Sequence, residues 1–159
     1  MKEAEIRSAW NKSLRFLGYR QRSEKEIAFY LKKKGFAHQV INDVIALLKE
    51  RNFINDRQFA LDWISCSQRK GKGIARAVME LKGKGISDSI INESKEIVFS
   101  EGEELERALK VMEKYLPSGY LRDDEKLLKR SAAFLKRRGF SNEIVYKTVN
   151  AYFSDKDDF

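Results

Sequence analysis

The sequence predicts an all-α protein built as three tandem three-helix bundle repeats, forming an elongated, curved array. Three observations carry this. One proline and nine glycines in 159 residues leave long uninterrupted windows that favour helices over a strand-and-turn sandwich. Apolar residues recur at helical spacing through those windows. A short motif also occurs three times, as Leu31-Lys-Lys-Lys-Gly35-Phe36, Leu81-Lys-Gly-Lys-Gly85-Ile86 and Leu135-Lys-Arg-Arg-Gly139-Phe140, with its glycines 50 and 54 positions apart. An apolar pair follows each copy: Val40-Ile41, Ile90-Ile91 and Ile144-Val145. Repeats of this kind contact mainly their neighbours, hence the expected array.

The first repeat spans residues 1–54. Its leading helix carries Ala9, Trp10, Leu14 and Leu17 on one stripe. Ser23-Glu24-Lys25-Glu26 reads as a capping box that starts a second helix through Ile27, Ala28 and Leu31. Gly35 ends that helix, because a residue without a β-carbon can take the left-handed conformation. Val40, Ile41, Val44, Ile45 and Leu48 then mark the core face of a third.

The second repeat spans residues 55–99. Asn55 or Asp56 caps a helix bearing Phe59, Ala60, Trp63 and Ile64, Gly71 and Gly73 free the turn into a short helix, and Gly85 stops it. Gly83 weakens the last turn of that helix, and Ser87 caps the next. The third repeat spans residues 100–159 and ends in a short acidic tail. Ala108, Leu109, Met112 and Leu116 stripe its first helix, Pro117-Ser118-Gly119 breaks the chain, and Ser141 caps the last helix. Trp10, Phe59, Trp63 and Met112 are expected in the core. The acids of Glu101–Glu106 and Asp123–Glu125 are expected to be solvated first-turn charges, which suit a helix N-terminus.

Several functions are excluded or weakened by motif chemistry. Gly71-Lys72-Gly73 and Gly83-Lys84-Gly85 lack the four-residue spacing and the Lys-Ser or Lys-Thr end of a phosphate-binding loop. No strand precedes them, so the dinucleotide fingerprint fails too. His38 is the only histidine and Cys66 the only cysteine, which leaves no metal-ligand spacing, no internal disulfide and no nucleophile–base pair. No cofactor is expected, and a small phosphate-handling enzyme is the weakest reading. Met1–Trp10 lacks the apolar core of a signal peptide and no window reaches membrane-span length, so a cytoplasmic protein without membrane contact is expected.

The net charge is +8 and the pI is near 9.5. Residues 1–54 hold 12 basic and 6 acidic side chains, residues 55–99 hold 8 and 6, and residues 100–159 hold 12 and 12. The surplus in the first two thirds points to a polyanionic partner. Arg69, Lys70, Lys72 and Arg76 surround the start of the short helix, where positive charge opposes the helix dipole and a partner explains it better. That helix start, flanked by Lys70 and Lys72, also reads as an anion site. Lys82 and Lys84, with Lys32, Lys33 and Lys34, are further candidates. Lys136, Arg137 and Arg138 stand at the matching place in the third repeat, and all these last-turn cations also suit the dipole without any partner. Backbone contact to nucleic acid fits such lysines better than base reading does. The residues thus leave open a regulator of another polymer or an autonomous, sequence-nonspecific DNA-binding helical-repeat protein.

The run from Ile54 to Ile91 resembles the central signature of the RecX family, bacterial regulators of the RecA recombinase. The matching elements are Asp56 before Phe59-Ala60, the turn Arg69-Lys70-Gly71-Lys72-Gly73, Arg76, Glu80-Leu81 and Lys84-Gly85-Ile86. Arg22-Ser23-Glu24, Lys34-Gly35-Phe36 and Arg138-Gly139-Phe140 extend the resemblance from about residue 8 to about residue 152. The family usually has proline where this chain has Ile74, which is expected to loosen the turn. The resemblance implies a non-enzymatic, monomeric modulator that binds the RecA–DNA filament along its groove, touches DNA through its backbone, and restrains ATP hydrolysis and strand exchange in recombination and repair. Arg69, Lys70, Lys72, Arg76, Lys82, Lys84 and Lys32–Lys34 are its candidate contact residues.

Overall fold

The computed structural model describes residues 1–154, so the acidic tail expected at the C-terminus lies largely outside the described residues. Among the described residues the chain forms nine α-helices, and none is long and apolar enough to cross a membrane. It divides into two compact units. The first comprises Met1–Asp62 and Leu81–Ser94, the second Trp63–Glu80 and Lys95 onward, so the helices of the middle repeat are shared between them.

In the first unit, α1 (Lys2–Leu17), α2 (Glu24–Lys33) and α3 (His38–Glu50) close around Ala9, Ile27, Leu31, Val44 and Leu48. The capping box predicted at Ser23 is complete. The Glu26 amide donates to Ser23 Oγ at 3.2 Å and the Ser23 amide to the Glu26 carboxylate at 3.0 Å. Gly35 takes φ +86°, and the Phe36 amide returns to the Leu31 carbonyl at 3.3 Å to close the helix end. Trp10 differs from its expected place. It is half-buried, edge-on to Phe53 with ring centroids 5.5 Å apart and beneath the Arg51 guanidinium at 5.2 Å. A ring that large is easier to accommodate at the margin of a small bundle, and the inner position goes to Ser13, whose hydroxyl donates to the Ala9 carbonyl at 2.9 Å. The start of α4 (Asp56–Arg69), capped by Asn55 on the Gln58 amide, also belongs here with buried Phe59 and Ala60, as does the start of α6 (Asp88–Val98) with Ile91.

A cross-repeat joint holds this unit. Ser23 Oγ donates to the Lys84 carbonyl at 2.6 Å, and the Glu24 amide, first in α2, donates to the Asp56 carboxylate at 3.0 Å. Gly85, at φ +78°, lies so close to the Lys25 side chain that a β-carbon there would collide with it.

In the second unit, α7 (Glu101–Tyr115), α8 (Glu125–Arg137) and α9 (Asn142–Phe153) surround Ala108, Met112, Leu135, Phe140, Ile144 and Val149. Asp124 caps α8 by accepting from the Leu127 amide at 2.9 Å, Ser141 caps α9 at 3.3 Å, and Gly119 turns the chain at φ +73° after α7 ends. Most of α5 (Ile74–Gly83) lies in this unit, with Ile74 and Ala77 buried. Trp63 is half-buried rather than enclosed, because its indole N–H reaches out to the Glu80 carboxylate at 3.0 Å.

One expectation is overturned. Glu104, grouped with the solvated acids of the α7 start, is 1% exposed. It accepts the Ile74 amide at 2.9 Å and pairs with Arg107 at 3.2 Å. Both partners satisfy a charge that burial would otherwise penalise heavily.

Candidate partner-binding surface

The turn between α4 and α5 forms from backbone chemistry before any side chain contributes. Gly71 adopts φ +70°, and the Lys70, Gly71 and Lys72 amides return to the Cys66, Gln68 and Ser67 carbonyls, closing α4. The chain then lies directly against the α8–α9 junction. The Gly73 amide donates to the Arg138 carbonyl at 2.8 Å and the Ala75 amide to the Gly139 carbonyl at 3.2 Å. Gly73 must be glycine here, since a β-carbon would run into the Gly139 carbonyl and the Phe140 amide.

This geometry corrects two expectations. The start of α5 is no free anion site, because the Gly73, Ile74 and Ala75 amides are all committed within the protein, and the anion at Ile74 is the Glu104 carboxylate. Nor is the turn loosened by the lack of proline. Proline has no N–H, whereas the Ile74 amide is what ties the turn to α7.

The four cations of this segment fall into two classes. Lys72 and Arg76 are engaged with Glu80, at 2.9 and 3.2 Å, and Arg76 also donates to the Arg137 carbonyl at 3.1 Å. Burial raises the Glu80 carboxyl, but hydrogen bonds from Lys72 and Trp63, the Lys72 charge and Arg76 outweigh it and hold Glu80 below the usual carboxylate value. Arg69 closes the last turn of α4, where positive charge is favoured, and Lys70 follows it. Both are exposed, and neither side chain has a hydrogen-bond or ion-pair partner among the described residues.

The other candidates lie in the first unit. Lys84 is only 20% exposed and pairs with Glu26 at 3.5 Å. Burial raises Glu26, but the Arg20 side chain, the Ser23 amide and the Lys84 charge bring it below its ordinary value. Lys82 meets Asp88 at 3.2 Å on an open surface. Lys33 and Lys34 lie 4.7 and 5.5 Å from the Phe29 and Tyr30 rings, and Lys32 is exposed beside them.

The second unit also contains a concavity of about 520 Å³ lined by Arg69 and Lys70 together with residues that the sequence did not single out. Arg107, Lys110 and Lys114 form one row on α7, and Tyr115 and Phe134 stack at 4.0 Å and 12°. Arg138, considered only as a last-turn cation, lies 5.2 Å from the Phe134 ring and donates to the Lys70 carbonyl at 3.1 Å. The Arg107-x-x-Lys110-x-x-x-Lys114 spacing is a legible signal for the row, but the even charge count of residues 100–159 obscured it.

Comparison with known proteins matches the chain to the RecX first three-helix domain over residues 9–48, the second over 55–94 and the third over 102–149. It is 34% identical to the regulatory protein RecX of Bacillus subtilis strain 168 over 156 residues, covering 96% of this chain and 59% of that protein. The figures for the RecX of Bacillus velezensis are 33% over 155 residues, again with 59% of the relative covered, so the chain spans about three fifths of the length of these relatives. The RecX of Prosthecochloris aestuarii is 31% identical, with 94% of this chain and 97% of that one aligned. A crystal structure of RecX from Lactobacillus salivarius superposes with a TM-score of 0.82 over 94% of this chain and 97% of its own, at 24% identity, a likeness of fold.

Proposed function

This chain belongs to the RecX family of regulatory proteins, and from that premise we propose that it binds the filament formed by the RecA recombinase on DNA and restrains its ATP hydrolysis and strand exchange. It acts as a monomer in the cytoplasm and by occupancy, not by chemistry of its own. Its three repeats, bounded at 1–54, 55–99 and 100–159, are the modules that make successive contacts, so affinity accumulates from several weak sites. Basic side chains meet DNA phosphates without reading sequence.

The observation that supports this reading most is the exposed state of Arg69 and Lys70, without a side-chain partner among the described residues, beside a turn held by internal backbone bonds. Cations with no internal partner are available to an external one, whereas Lys72, Arg76 and Lys84 already serve the fold. Lys32, Lys33, Lys34 and Lys82 form the corresponding exposed group of the first unit.

The test is recombinase-dependent ATP hydrolysis on single-stranded DNA with the protein titrated in. Arg69→Glu with Lys70→Glu is expected to raise the half-inhibitory concentration by about tenfold or more, as the loss of a close charge pair does, with an unchanged helical circular dichroism spectrum. Full inhibition by that variant discards the surface. Reversal of Lys32, Lys33 and Lys34 tests the first unit in the same assay, and undiminished inhibition removes those residues from the contact set.

A further inference from the structure

The concavity beside Arg69 and Lys70 has features that a general attraction to polyanions does not require. We propose that it is a binding site for single-stranded nucleic acid, taking one nucleotide's base or sugar against Tyr115, Phe134 and Val111 and its flanking phosphates on the cations of α7 and the α4 end. The inference deepens the preceding reading of Arg69 and Lys70 and rests on it for that pair only.

Charge comes first. Lys110 and Lys114, next to the Arg107 that pairs with Glu103 and Glu104, face the same hollow as Lys70 and Arg138, and no carboxylate lines it among the described residues. Helical rise puts Lys110 and Lys114 about 6 Å apart along the axis, so the pair suits a repeating anion rather than a single one.

Unmet hydrogen-bonding capacity comes second. Two of the lining residues, Gln68 and Arg107, carry buried N–H groups, at Nε2 and Nε, with no hydrogen-bond partner. Lying beneath the wall of the hollow rather than open to it, these groups mark a lining with more donors than internal acceptors among the described residues.

The apolar floor comes third. The stacked Tyr115–Phe134 pair is the kind of platform on which bases pack without regard to sequence, and it lines the same hollow as the cations. A duplex keeps its bases inside and its phosphates on a convex wall, so it cannot use such a floor.

Size and continuation favour a strand over a free nucleotide. A volume of 520 Å³ holds a nucleotide-sized ligand. A second hollow of about 360 Å³ shares Phe134 and Arg138 and adds Arg137 beside the Glu80-paired Lys72 and Arg76, so the cleft continues past the space that one nucleotide fills.

The experiment is fluorescence anisotropy of the full chain with a labelled oligothymidylate of about a dozen nucleotides, a length suited to nonspecific single-strand sites, with no recombinase present. The expected result is salt-sensitive binding that Lys110→Glu with Lys114→Glu, both exposed positions, weakens about tenfold or more. Tyr115→Leu is expected to weaken binding about fivefold, and to cause no further loss for an abasic strand of equal length, which binds the native protein weakly from the start. Unchanged affinity of the double-reversal variant overturns the site, as does an abasic strand that binds as well as the normal one. Equal displacement by duplex, by a nucleoside triphosphate or by poly-aspartate, at matched charge, also overturns it and assigns the hollow to that competitor's class. Because the recombinase is absent, a flat result here leaves the ATP-hydrolysis test of the filament reading intact.

Discussion

The two units solve one problem twice, with different side chains. In each, the start of a repeat's middle helix sits on the glycine junction of the following repeat. In the first unit Ser23 Oγ reaches the Lys84 carbonyl, and in the second the Gly73 amide, fifty positions on, reaches the Arg138 carbonyl. The first amide of the helix then donates to a carboxylate at or near the start of the next repeat's first helix, from Glu24 to Asp56 and from Ile74 to Glu104. The backbone plan is shared, but the charges are not. Glu26 receives Lys84 across the first joint, whereas Arg76, its counterpart in the second, must find Glu80 on its own helix and a carbonyl across the joint. The lesson is that the joint is specified by a donor onto the junction carbonyl, a carboxylate on the first helical amide and missing β-carbons, while the charges around it vary.

Substitution of Gly139 by alanine should break the second joint with the largest effect. Its φ of +92° disfavours a side chain, and the added carbon would meet the Arg76 backbone, which cannot swing aside. A loss of about 4 kcal/mol is expected. Gly85→Ala in the first joint meets only the Lys25 side chain, so about 1–2 kcal/mol is expected from its left-handed φ of +78°. Urea denaturation of the pair measures both, and equal losses would mean that backbone packing is not what distinguishes the joints.

The carboxylate anchors should differ next. Glu104→Ala leaves Arg107 half-stranded and the Ile74 amide unpaired in a buried setting, for about 3 kcal/mol. Asp56→Ala removes a more solvated acceptor, for about 1 kcal/mol. Ile74→Pro should cost about 2 kcal/mol by deleting the donor that Glu104 receives. A gain in melting temperature from that proline would show that helix-start preference outweighs the anchor.

Acid should sharpen the contrast further. Glu26 and Glu80 both have folded-state values below the ordinary 4.5, so each adds stability that is fully present above that pH and is lost as the pH falls through the lower folded value. Asp56 is shifted the other way, chiefly by burial, and adds no such acid-labile term. Glu80→Gln and Glu26→Gln should each flatten the decline in denaturation midpoint below pH 5, whereas Asp56→Asn should not. An identical decline in all three would refute the assignment. The smallest effect is expected from Gly35→Ala. Its φ of +86° faces open space, so about 1 kcal/mol of strain is all there is to measure by thermal unfolding.

Local devices were legible in the sequence because their physics is local. The Ser23 capping box, the Gly35 stop, the serine caps at Ser87 and Ser141 and the triplicated motif each need only neighbours within a turn or two. What escaped depended on partners far along the chain. Glu104 stands among Glu101, Glu103 and Glu106 and looks like them, and only the arrival of Ile74 and Arg107 sets it apart. Of the candidate cations, Arg69 and Lys70 stood out in the sequence only as charges beside a helix start. Lys84 was not distinguishable from Lys82 until Glu26 was seen beside it. The α7 row was hidden by the acids that share its segment, two of which, Glu103 and Glu104, pair with Arg107 itself. Trp10 and Trp63 were misplaced inward because periodicity marks a side, not a depth.

The approach of Gly73 to Gly139 has a consequence for how such proteins diversify. The contact itself is made of amides and carbonyls, with only the Glu104 carboxylate and the Arg76 and Arg138 guanidiniums bracing it, so mutation can redraw the rest of the exterior without unmaking the connection. A chain that keeps the two glycines and those three braces can therefore exchange the surface around them while the scaffold stays assembled.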